Sequence, residues 1–102
     1  MRYQLVLQFS GDSLADFDAM VALEGELIEE LTDADVDGHD VGSGEVNIFT
    51  ITSDPERTFR AVRPVLERRQ SLQTLTAAYR RAEGSDYTII WPEGSTNEFR
   101  VA

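Results

Sequence analysis

Glu45-Val46-Asn47-Ile48-Phe49-Thr50-Ile51-Thr52-Ser53-Asp54-Pro55-Glu56 decides the fold. The run opens β-branched and apolar. Val46 and Ile48 face one way, and Phe49 and Ile51 lie across the register. Apolar side chains on both faces read as a strand inside a sheet. Asp54-Pro55-Glu56 then starts a helix, with Asp54 as N-cap and Pro55 at the first helical position. A strand handing over directly to a helix points to a helical layer packed on a sheet.

Toward the C-terminus, Phe59, Val62 and Leu66 recur at helical spacing, which carries the helix to about residue 69. Pro64 falls inside this pattern and is expected to loosen the helix near Arg60, because it has no N–H to donate. Residues 74–91 read as a hairpin, turning at Gly84-Ser85-Asp86. The tail, residues 92–102, is expected to be mobile, with Phe99 and Val101 able to pin it to an edge.

Toward the N-terminus, residues 2–9 alternate. Tyr3, Leu5, Leu7 and Phe9 share one face, while Arg2, Gln4, Val6 and Gln8 share the other. This is the period of a half-buried strand. Ser13 and Asp16 then form a pair like a capping box. Leu14, Phe17, Met20 or Val21, Leu27 or Ile28, and Leu31 predict an amphipathic helix over residues 13–31. Gly25 weakens that helix by about 1 kcal/mol relative to Ala and marks a close packing contact. Residues 32–44 are rich in Asp and Gly and read as a loop.

The expected architecture is a single domain over residues 1–102, an α/β (α+β) two-layer sandwich. Its order is β-α-β-α-β-β, with a four-stranded, mainly antiparallel sheet and both helices on one face. A chain of 102 residues can bury such a core without staples. It has no cysteine, which excludes disulfides, thiolate metal sites and cysteine nucleophiles. Its N-terminus reads as a strand and not a signal peptide, and no apolar run is long enough to span a membrane. The expected location is the cytoplasm.

The net charge is −10, and it is unevenly placed. Residues 1–50 hold twelve acids and one base, Arg2, whereas residues 51–102 hold seven acids and eight arginines. Acidity of this kind disfavours nucleic acid and anionic membranes and steers basic partners. It also serves solubility alone.

Three clusters are candidates for function. Asp37-Gly38-His39-Asp40-Val41-Gly42-Ser43-Gly44-Glu45 contains the one histidine of the chain. Asp37, His39, Asp40 and Glu45 are hard donors for a metal ion, yet they lack EF-hand spacing and the second histidine usual in zinc sites. A phosphate-cradling loop is a second reading, but these glycines precede a strand instead of opening a helix. The reading these residues favour is structural: Gly38, His39, Gly42 and Gly44 shape a tight connection, and His39 pairs with an aspartate or bridges loop to strand. No metal or cofactor is expected.

The second cluster is the acids of the first helix and the segment after it: Asp16, Asp18, Glu26, Glu29, Glu30, Asp33, Asp35, Asp37 and Asp40. They read either as a solvated surface or as a docking face for a basic protein. The third is Tyr79, Tyr87 and Trp91 with Arg80 and Arg81, which reads as core or interface packing. Apolar residues on the sheet face away from the helices offer a patch through which two copies could pair. No nucleophile and base are placed together, so no enzymatic activity is expected.

The segments Asp37-Gly-His-Asp-Val-Gly-Ser-Gly-Glu45, Asp54-Pro-Glu-Arg-Thr-Phe59, Ala78-Tyr-Arg80 and Asp86-Tyr-Thr-Ile-Ile-Trp-Pro92 carry a resemblance. In them the chain resembles a group of small acidic bacterial proteins of undefined role. In size, acidity and architecture it is also similar to immunity proteins of bacterial toxin systems, including contact-dependent growth inhibition. That likeness implies a cytoplasmic, non-catalytic protein that binds and neutralises a basic toxin; where the toxin is a nuclease, the acids would fill its cleft. The alternatives are a self-associating regulatory module and a metal-dependent protein using residues 37–45.

Overall fold

The alternation of residues 3–9 produces the central strand of the sheet, β1 (Tyr3–Ser10). In the computed structural model, residues 2–10, 17–32, 34–42, 44–94, 99 and 101 are described. After β1 come α1 (Phe17–Glu30), β2 (Ala34–Gly42), β3 (Glu45–Thr52), α2 (Pro55–Arg68), β4 (Leu75–Arg81) and β5 (Thr88–Trp91). The strands lie in the order β2-β3-β1-β4-β5. All pairings are antiparallel. Strands β1 and β2 are therefore parallel across β3, and β3 and β4 are parallel across β1. These two interleaved split βαβ units make the ferredoxin-like topology, with β5 added at one edge.

The α+β class and the two helices match the sequence reading, but the four-strand order does not. The additional strand is β2, in the segment read as a loop. Its period-two pattern is broken by a register shift between Val36 and Gly38. Before the shift Ala34 and Val36 face the helices; after it His39 and Val41 do, by their pairing with Val46, Ile48, Thr50 and Thr52. A β-bulge moves the inward set from even to odd positions, which hides the alternation. The helix expected over 13–31 is seen as α1 from Phe17, and its expected cap at Ser13 and Asp16 lies outside the described residues.

One face of the sheet meets both helices. Leu5, Leu7, Phe9, Val46, Ile48, Leu75 and Ala77 pack against Met20, Leu23 and Leu27 of α1 and Phe59, Val62, Val65 and Leu66 of α2. Full burial of each large apolar side chain is worth about 1.5–3 kcal/mol. The junction that decided the fold is held by polar contacts as well. The Asp54 carboxylate accepts the Arg57 N–H at 3.1 Å, and the Asp54 N–H donates to Thr52 Oγ1 at 3.0 Å. The hydroxyls of Thr52 and Thr58 lie 2.7 Å apart in the interior. Helix α2 runs through Pro64, which sits on its exposed side.

The other face is not bare. Val6 and Ala78 are fully buried there, and Asn47 nearly so, accepting from Gln8 Nε2 at 3.0 Å. Phe49 and Ile51 are half-buried on this face. In the tail, the Phe99 ring packs 4.9 Å from that of Tyr87. Residues 95–98, 100 and 102 lie outside the described residues.

Candidate functional site

The acids grouped together in the sequence do not share one face. Glu26 leaves α1 toward the end of α2, where its carboxylate accepts from Arg68 Nη2 at 2.9 Å and Arg69 Nε at 2.7 Å. These two guanidiniums hold the Glu26 carboxyl below its usual range. Arg68 also lies 3.9 Å from Glu30. Glu24 is 3.1 Å from His39 Nδ1. The acids of α1 thus find partners on α2 and β2, which inspection of the helix sequence alone does not reveal. Glu29 is exposed and forms no ion pair among the described residues. Asp18 lies in the first turn of α1, while Asp16 and Asp33 lie outside the described residues.

Asp35 and Asp40 belong to a second surface. They pair in register with Ile51 and Asn47, on the face away from the helices, and Asp37 sits at the bulge. β2 is the free edge of the sheet on this side. A long edge strand is a template for unwanted pairing, and charged side chains and bulges blunt it. The three aspartates and the bulge suit such a protected edge.

The segment 37–45 is the end of β2, a tight turn and the start of β3, and not an open loop. Gly38 at φ 120° makes the bulge and Gly44 at φ 75° makes the turn; Gly42 closes β2 opposite Glu45. His39 faces the helices and pairs with Glu24 of α1. Asp40 and Glu45 point to the opposite face by their register, with Glu45 accepting from Gln8 Nε2 at 3.4 Å. The four donors considered for a metal therefore do not converge. Among the described residues no three His, Asp or Glu side chains gather around one metal position.

On the hairpin, Tyr79 and Trp91 pack against the core. The Trp91 ring lies 6.0 Å from that of Phe59 and beneath the Arg63 guanidinium at 4.7 Å. Tyr87 lies near Arg80 on the other side of the strand pair.

What the sequence reading passed over is an apolar stripe on the outer side of α1. Val21 is 44 % exposed and Ile28 58 % exposed. Gly25 lies between them and is also exposed, and a Cβ built there meets nothing within 4 Å. Its expected close contact is therefore not made within the described chain. These positions, i, i+4 and i+7, form one stripe on a helix. The signal was present in the two adjacent apolar pairs Met20-Val21 and Leu27-Ile28. One member of each enters the core, so the other must face out.

No helix among the described residues is long and apolar enough to cross a membrane. Comparison with protein-family models, curated proteins and solved structures finds no match.

Proposed function

We propose that this domain is a non-catalytic binding protein, and that it takes a basic protein partner on the outer side of α1. The observation that carries this reading is the exposed stripe Val21-Gly25-Ile28 set in an acidic helix. Leaving Val21 and Ile28 about half in water forgoes part of the roughly 1.5–3 kcal/mol that full burial of each would add, and an interior helical Gly costs about 1 kcal/mol more. Nothing among the described residues offsets those costs. A partner does: its side chains bury Val21 and Ile28, and the absent Cβ at Gly25 lets it approach the helix backbone.

Charge supplies the sign of the partner. Helix α1 carries five acids and no base. Glu26 and Glu24 are engaged internally, but Glu29 borders the apolar stripe and is unpaired among the described residues. Such a rim speeds encounter with a basic surface, while the apolar anchors lengthen residence. The most concrete form is a cytoplasmic immunity protein that covers the cleft of a basic toxin, with the carboxylates standing in for nucleic-acid phosphates. The ferredoxin-like topology adds nothing to this choice, since one fold hosts many functions.

Affinity capture from the source organism, with wild type beside Val21→Ser and Ile28→Ser, tests the reading. A basic protein retained by wild type and lost by both variants supports it. Identical captures by all three, or none by wild type, count against it.

A further inference from the structure

Glu24 and Glu26 leave α1 on opposite flanks, because two residues turn a helix by about 200°. Glu26 reaches Arg68 and Arg69 at the end of α2, and Glu24 reaches His39 of β2 at 3.1 Å. One flank of α1 is thus turned to α2 and the other to β2. Val21 stands three residues before Glu24 and Ile28 four residues after it, which places both on the β2 flank.

The strand continues this stripe. β1 and β2 run parallel, so α1, which leads from the end of one to the start of the other, runs antiparallel to β2. From the contact of Glu24 with His39, Val21 lies about 4.5 Å back along the helix. Val41 lies about 6.6 Å on along the strand, in the same direction. After the bulge Val41 shares the helix-facing side of β2 with His39, and it is 57 % exposed. Ile28 lies about 6 Å from Glu24 the other way. Val21, Ile28 and Val41 are the large apolar side chains that stand exposed among the described residues, and one surface gathers all three. Scattered singly they would need no explanation; grouped, they mark an interaction surface. The Glu24–His39 contact at its centre ties strand to helix, so the anchors on both are in place before a partner arrives.

Charge again gives the sign of the partner. Helix α1 holds five acids, β2 holds three, and neither has an arginine. Asp35 and Asp40 point to the other face of the sheet by their register, so they rim this surface without covering Val41.

We infer that the partner docks a basic amphipathic helix along the α1–β2 surface, with Val41 as a third anchor beside Val21 and Ile28, an assignment that rests on the reading of α1 as the face for a basic protein. Val21 and Ile28 are about 10.5 Å apart along α1, the span of residues i and i+7 on a facing helix. Gly25 between them lets that helix come close.

The test is calorimetric titration of the full chain with a synthetic peptide of leucine and lysine, roughly 18 residues long, enough to fold as a helix. Its leucines recur at helical spacing; a scrambled peptide of the same composition is the control. Val41→Ser and Ile28→Ser, both at exposed positions, should keep the fold by circular dichroism. Val41→Thr, which keeps strand propensity, repeats the test if Val41→Ser loosens β2. The patterned peptide should bind more tightly than the scrambled one, and each serine variant should weaken it at least about tenfold. Weakening by Ile28→Ser with none by Val41→Ser overturns the α1–β2 surface and leaves the reading of α1 standing. Equal binding of the two peptides, or of wild type and both variants, overturns both.

Discussion

Glu26 and Arg69 lie 2.7 Å apart, the closest of the ion pairs that join α1 to the end of α2 among the described residues. Arg68 shares the same carboxylate at 2.9 Å. Hydrogen bonds from Arg68 and then Arg69 lower the Glu26 carboxyl from its ordinary 4.5. A carboxyl lowered on folding adds stability that is present above its unfolded value and is lost as pH falls through the folded one. Wild type should therefore lose more stability than Glu26→Gln between pH 6 and the acid range below 4.5. Urea midpoints of both proteins across that range check this. Parallel profiles would show that the pair contributes nothing.

The glycines of α1 and β2 predict opposite outcomes. Gly25 is helical and its Cβ position is open, so Gly25→Ala should stabilise by up to about 1 kcal/mol. Gly38 stands at φ 120°, where an L side chain is strained, so Gly38→Ala should destabilise by about 1–3 kcal/mol. Thermal and urea unfolding of the two variants gives both signs. If Gly25→Ala also weakens capture of a partner, the glycine serves contact and not folding.

Asp37 and Asp40 lie on the edge strand β2, where charge blunts pairing with another chain. Replacing both by Thr keeps strand propensity and removes the charge. The variant should associate more strongly with rising concentration than wild type does, as read by light scattering. Unchanged mass over the same concentrations would remove the edge-guarding role and return these acids to the pool of contact residues.

Much of this fold is legible in the residues. The capped start at Asp54-Pro55, the stripe Phe59-Val62-Leu66 and the alternation around Leu5 and Leu7 each report a local rule that the packing obeys. β2 is the instructive exception. A bulge at Gly38 and aspartates on the outward positions make an edge strand look like a loop, because both its inward period and its apolar content are diluted. The surface proposed for binding was harder to read for a different reason. Which of Met20 or Val21, and which of Leu27 or Ile28, turns to water depends on the angle at which α1 sits on the sheet, a tertiary fact. Likewise the partners of Glu24 and Glu26 lie 15 and more than 40 residues away in the chain.

The measurement that bears most directly on the binding role of α1 is the affinity of the captured basic partner for wild type and for Ile28→Ser, by calorimetry at low and high salt. Ile28 is 58 % exposed, so the substitution should leave the fold intact. Contact through the outer side of α1 predicts binding at least about tenfold weaker in the variant, as for a truncated interface anchor. It also predicts an association rate that falls with salt in both proteins. Equal affinity of wild type and Ile28→Ser for that partner would contradict it.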